Sequence, residues 1–176
     1  MYVQRDPAGA IAAAYARPSA EAAEHLAGDD AELRRFLDRS PAPAEAAARE
    51  IGRLRDRRIA RGFTFDFGNG EQAPVDTRND DDRANLDRLY ARALRLDGQG
   101  VTDPVIPFRD GANVTRQLTP QQMIALGDAA LAHGEAQYQW SWPLKDAVRA
   151  EGATEAAIDA ALAQARGEAA AFLAGE

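Results

Sequence analysis

Residues 63–67 read FTFDF. In an extended chain Phe63, Phe65 and Phe67 fall on one side and Thr64 and Asp66 on the other, a two-residue period that a half-buried strand satisfies and a helix does not. The residues that follow, GNGE, place Asn69-Gly70 at the tip of a two-residue hairpin. The return strand, about Gln72 to Thr77, carries Pro74, which cannot donate to a ladder and so belongs at an edge. From NDDD onward the period changes: Leu86, Leu89, Tyr90, Ala93 and Leu96 recur every three to four residues, as on an amphipathic helix. The same order returns further on. VIPFRDGANVTRQL reads as a second hairpin, with Phe108 and Val114 facing each other. LTPQQMIALGDAALAHG then opens a long helix, with Thr119 as N-cap, Pro120 as its first residue and Gln122 completing a capping box. A hairpin followed by a helix, twice, predicts a helix-rich α+β fold of small antiparallel hairpins packed with several helices, the hairpins being free to join into one sheet.

The flanks extend this plan. Residues 2–5 and 10–16 make two short strands around DPAG, where Pro7 suits the second position of a tight turn and Gly9 closes it. GDDAELRRFL starts a helix capped by Asp29 or Asp30, with Leu33, Phe36 and Leu37 as its apolar stripe. DRSPAPAEA has the composition of a linker. An arginine-rich helix follows from about Ala44 to Ala60, with Ile51, Leu54 and Arg58 on one side, Ala47, Ala48 and Ile59 near it, and Gly62 ending it. Pro143 is expected to kink or interrupt the long helix near WSWPLK. The last segment is an alanine-rich helix whose seam of Ile158, Leu162, Ala165, Ala169 and Phe172 is too small to stand alone, so it needs a partner helix in this chain or another copy. The expected organisation is a hairpin–helix module at 1–38, a linker at 39–46, the main α+β domain at 47–150 and the C-terminal helix at 151–176.

Charge and composition narrow the chemistry. The formal charge is −7, and of 21 cationic residues only Lys145 is lysine. Such a chain is a poor partner for nucleic acid, whose phosphates are bound by dense Lys and Arg. With no cysteine, disulfides, thiol nucleophiles and cysteine-held zinc are excluded. No apolar run is long enough to span a bilayer, and the N-terminal residues lack the basic-then-leucine-rich order of a signal peptide.

No residue stands out as catalytic, cofactor-binding or metal-binding. GNGE lies between strands and has no lysine, unlike a phosphate loop. The acids from Asp76 to Asp82 are bunched rather than alternating around a glycine, as calcium would require, and acids in a helix's first turn suit its dipole. His25 and His133 are the only histidines, and no nucleophile-elbow motif surrounds Ser19, Ser40 or Ser141. The arginines of the 49–61 helix read as a solvated face. QYQWSWPLK concentrates aromatic surface. Tyr138, Trp140 and Trp142, with Phe172, are candidate contacts to another subunit, against the alternative that the tryptophans are core packed on the sheet.

Taken in order, these motifs resemble a phage-associated family known only as a domain of unknown function, whose members occur in tailed-phage and prophage genomes, often among tail genes. The likeness covers residues 55–150. It is carried by Arg57, Arg58 and Gly62; by Phe65, Phe67 and Asp76; by Arg83 and Asn85; by Phe108, Asp110 and Asn113; and by Leu118, Thr119, His133, Leu144 and Lys145. Phe108 stands where the family often has tryptophan, and Pro143 where its helix usually continues. The N-terminal YVQRDPAGAIAAAYARP and DDAELRRFL are similar to a hairpin–helix module of phage tail-associated and tail-fibre-assembly proteins. The resemblance brings no catalytic residue and no cofactor. It implies a structural component of a tailed-phage virion at the tail, baseplate or fibre attachment, made in the host cytoplasm. Its partners would be other tail proteins, in a homo-oligomer or larger assembly, with neither nucleic acid nor membrane. The alternatives are a tail or fibre assembly chaperone absent from the finished particle, and a small enzyme or ligand-binding domain built on His133 and nearby carboxylates.

Overall fold

The computed structural model describes residues 1–20, 22, 24–39, 43–68 and 70–175. The chain divides into two compact units, Met1–Pro43 and Ala44–Glu176. In the first, β1 (Tyr2–Arg5) pairs antiparallel with β2 (Ile11–Tyr15) and, on its other edge, with β3 (Glu24–His25), a short strand that the sequence pattern did not suggest. The Asp6–Gly9 turn closes with Gly9 N–H donating to the Asp6 carbonyl at 2.9 Å. Asp30 caps α1 (Ala31–Arg39), its Oδ1 accepting from the backbone of Glu32 and Leu33. Val3 and Leu33 are buried, and Arg5 ties the unit together by bonding Glu24 at 2.7 Å and Glu32 at 2.8 Å. Of the expected linker, residues 40–42 lie outside the described residues; α1 reaches Arg39, and α2 begins at Pro43.

The second unit runs α2 (Pro43–Ala60), β4 (Phe63–Asp66), β5 (Gln72–Val75), α3 (Asp80–Gly98), β6 (Ile106–Arg109), β7 (Thr115–Leu118), α4 (Pro120–Arg149) and α5 (Glu155–Ala174). The fold is helix-rich α+β. Among the described residues the two hairpins do not merge into one sheet: β4 pairs with β5, and β6 with β7. They meet through one backbone hydrogen bond, Gly111 N–H to the Pro74 carbonyl at 2.7 Å. Asn69, the expected first residue of the tip, lies outside the described residues; the loop closes with Phe67 N–H donating to Glu71 O at 2.9 Å.

Two cores share the unit. The first is built from Phe67 and Val75 of one hairpin, Ile106, Phe108 and Leu118 of the other, Leu86 and Ala93 of α3, and Met123 and Leu126 of α4. The second lies between α2, the later half of α4 and α5, from Ile51, Leu54, Leu144, Val148 and Ile158, with alanines 47, 48, 165 and 169 between them. The helix α4, with 30 residues and a length of about 45 Å, is long enough to serve both. It starts with the Thr119–Gln122 capping box and runs through Pro143 without a break, so the expected interruption does not occur. Leu144, Val148 and Ser141 hold the segment against its neighbours, and Ser141 Oγ–H donates to the Tyr138 carbonyl at 2.9 Å. Packing there outweighs the roughly 3 kcal/mol that an interior proline costs. The partner that α5 needs is found within the same chain.

Two glycines are required by close approach. Gly62, at φ +76°, brings the chain out of α2 so close to β5 that a Cβ would lie 2.2 Å from the Val75 carbonyl oxygen. Gly127 of α4 leaves room for the Tyr90 ring of α3, which a Cβ would meet at 2.2 Å.

Candidate interaction site

The two helices α2 and α4 run antiparallel, and their contacts descend one sequence as they climb the other. Arg149 Nε donates to Glu45 Oε1 at 2.8 Å; the Lys145 ammonium rests over Gly52; the Arg55 guanidinium lies 4.4 Å from the centre of the Tyr138 ring; and Ile59 meets His133. Arginines three apart share a helix face, and here that face meets aromatics. Arg58 is sandwiched between Trp140 and Phe172, its guanidinium carbon 4.2 Å from each ring centre. Its Nε–H donates to the buried Gln137 Oε1 at 2.7 Å. Trp140 Nε1–H in turn donates to Glu168 Oε2 at 2.6 Å. Burial lowers the Arg58 pKa, and hydrogen bonds from Gln164 and Trp140 hold the Glu168 carboxyl below its ordinary range. A solvated face therefore describes Arg49, Arg53 and Arg57, which are exposed, but not Arg55 and Arg58, which are half-buried.

One turn on, the carbonyl of Ile59 near the end of α2 collects three donors: Thr77 Oγ1–H at 2.5 Å, Gly62 N–H at 3.1 Å and His133 Nε2–H at 3.2 Å. Carbonyls in a helix's last turn lack intrahelical partners, and here side chains from the β5–α3 connection and α4 supply them. His133 stacks between Phe63, at 5.4 Å, and Phe172, at 6.5 Å. Burial lowers its pKa and so favours the neutral ring, whose Nε2–H tautomer makes this bond.

The acidic stretch serves the start of α3. Asn79 is the N-cap, its Oδ1 accepting from Asp82 N–H at 2.8 Å, and Asp80, Asp81 and Asp82 fill the first turn. Arg83 pairs with Asp80 and donates to the Thr77 carbonyl at 2.8 Å, while Asp76 pairs with Arg78 at 2.9 Å. Among the described residues no three His, Asp or Glu side chains are grouped as metal ligands would be.

The second hairpin is closed by Asp110. Its buried carboxylate accepts from Ala112 and Val114 N–H at 3.0 and 2.9 Å and from Arg116 Nε–H at 2.8 Å. Burial alone would raise its pKa, but these bonds outweigh it and leave the carboxyl below its ordinary value. Asn113 takes the left-handed conformation that ends the loop, at φ 65°. As a result Phe108 faces Arg116, not Val114, which stands in the loop beyond the ladder. Arg116 also bonds Glu71 at 2.6 Å and lies 4.3 Å over the Phe67 ring, linking the two hairpins.

The four aromatic contact candidates separate by exposure. Trp140 and Phe172 are half-buried in the Arg58 stack. Tyr138 and Trp142 stand 44% and 55% exposed on α4. The alternative of tryptophans packed on a sheet is corrected: Trp140 packs among helices, and Trp142 faces outward. The sequence reading missed Leu131, 54% exposed and seven residues before Tyr138, hence on the same face; its spacing to Tyr138 and Trp142 was the available signal. Among the described residues no helix is long and apolar enough to cross a membrane.

The fold and site define a helix-rich α+β domain in which two hairpins each feed a helix and the conspicuous motif positions are spent on caps, turns and packing. Residues 42–162 match the family described as Domain of unknown function (DUF4376), and the chain belongs to that family. No curated protein and no solved structure matches the chain.

Proposed function

We propose that this protein is a structural component of a tailed bacteriophage particle, at the tail, baseplate or fibre attachment, acting through protein–protein contacts rather than by turning over a substrate. The observation that carries the contact reading is the row of Leu131, Tyr138 and Trp142, three large side chains left exposed along one face of α4. Large exposed aromatics dominate the energetics of interfaces. The phage setting rests on the likeness of the motif order from Arg57 to Lys145 to a phage-associated family. The residues of that motif that invite a catalytic role are occupied in the fold: His133 caps α2, Asp76 pairs with Arg78, and Asp110 closes a hairpin. Mass spectrometry of purified particles tests the proposal. Retention of the protein after stringent purification is the expected result. Its absence from particles, with recovery beside a fibre protein in lysates, would replace this reading with that of an assembly chaperone.

A further inference from the structure

A groove of about 310 Å³ runs along the seam of α3 and α4. Ala130 and Gly134 of α4, Leu86 of α3 and Ile59 of α2 are among the residues that line it. Its two glycines differ in their surroundings. At Gly127 the Tyr90 ring fills the space that a side chain would take, whereas at Gly134 an added Cβ would meet nothing within 4 Å. The groove is therefore filled by Tyr90 beside Gly127, open beside Gly134, and lined also by the exposed Leu131 and Tyr138. Its size, at the lower end of ligand-pocket volumes of roughly 300–1,000 Å³, suits one or two anchoring side chains.

The charges around the groove distinguish among occupants. Arg83 is committed to Asp80 and the Thr77 carbonyl, and His133 to the Ile59 carbonyl. Asp87 on α3 and Glu135 on α4, both exposed on the groove's lining, make no hydrogen bond or ion pair among the described residues. The uncommitted charge at the rim is thus negative on both helices, within a chain of net charge −7. Complementary potential raises encounter rates and rejects partners of like sign.

We propose that this groove is a docking site for a basic, amphipathic segment of a partner protein, which seats apolar anchors over Gly134 and places Lys or Arg against Asp87 and Glu135. The anchors cover Leu131 and Tyr138, and the flanking cations set orientation. This deepens the contact reading and rests on it only for the partner's being a protein.

The test uses the full chain, labelled for amide NMR, and three synthetic helical peptides that share one Leu/Phe face and carry Lys, Ser or Glu beside it. The Lys peptide is expected to bind at least about tenfold tighter than the Glu peptide, to shift amides around Gly134, and to lose its advantage as salt rises. Gly134→Leu, which fills the groove at an open helical position, and Leu131→Ser, on its exposed lining, each weaken the Lys peptide. Asp87→Lys with Glu135→Lys inverts the order of the peptides. Circular dichroism of each variant checks that the fold is kept. Equal binding of all three peptides, no binding, or indifference to both groove variants overturns the proposal. So does self-association that Gly134→Leu abolishes, which would make a second copy the occupant. The titration does not depend on whether the protein is found in particles, so failure here and failure of the particle reading are told apart.

Discussion

Single residues in this protein do work that their neighbours cannot share. Gly62 combines a left-handed φ of +76° with a carbonyl 2.2 Å from the position of a Cβ. Gly100 has a similar φ of +74° but open space around it. Gly100→Ala is therefore expected to cost about 1 kcal/mol, the conformational penalty alone. Gly62→Ala should cost about 2–4 kcal/mol, because strain and a backbone collision add. Urea unfolding of the two variants measures the gap. His133 gives a second prediction. Its ordinary pKa of 6.5 is lowered in the fold by burial, with the Arg58 and Arg61 charges also disfavouring the cation. Above that value both folded and unfolded states hold a neutral ring. As pH falls the unfolded chain takes up the proton first, so stability declines from the unfolded pKa down through the lower folded one. The lowered carboxyls, Asp110 with an ordinary value of 3.8 and Glu24, Glu45 and Glu168 with 4.5, act in a more acid window. The urea midpoint should therefore drop between about pH 7 and pH 5 in the natural protein, and this slope should flatten in His133→Gln.

At the scale of elements, α5 is attached by Ile158, Ala165 and Ala169 of the second core and by the Arg58 sandwich. Removing the guanidinium from between Trp140 and Phe172 also frees Gln137 and leaves a gap between three helices. Arg58→Ala is expected to lose about 2 kcal/mol, with faster amide exchange through α5 and little change in the hairpins. Uniform loss of protection would show that α5 is not separately held. Apart from β3, which elements form was legible in the sequence, because they follow from local chemistry. The period of FTFDF, the acids opening α3, the cap at Thr119 and the seam of α5 each act within a few residues. What was not legible depends on partners distant in sequence. Pro143, itself exposed, stays in a helix because its neighbours Ser141, Leu144 and Val148 are buried, the last two in the core shared with α2 and α5. Val114 leaves the ladder because the Asp110 carboxylate draws its N–H into the loop. The β3 strand EH carries no pattern of its own and exists only as an edge for β1. At the candidate site the aromatic cluster was visible, but the division between Trp140 and Trp142 was not, since it is set by a residue more than eighty positions earlier, Arg58.

For the whole molecule, both cores with large side chains lie inside Ala44–Glu176, whereas among the described residues of Met1–Pro43 the buried hydrophobics are Val3, Ala22 and Leu33. The segment 44–176 expressed alone is therefore expected to unfold cooperatively with undiminished helicity per residue, while 1–43 alone should be marginal, since such short chains bury too little surface. Circular dichroism melts of the two pieces decide this, and a non-cooperative melt of 44–176 would show that the division is not energetic. The carbonyl of Ile59 adds a constraint in time. Its three donors come from residues 62, 77 and 133. A ribosome extends a chain by roughly 5–20 residues per second, so the last turn of α2 exists for several seconds before the imidazole that completes it has been made. Until then that turn has the Gly62 and Thr77 donors but not the third. Translation itself thus sets the earliest moment at which the two cores can lock together.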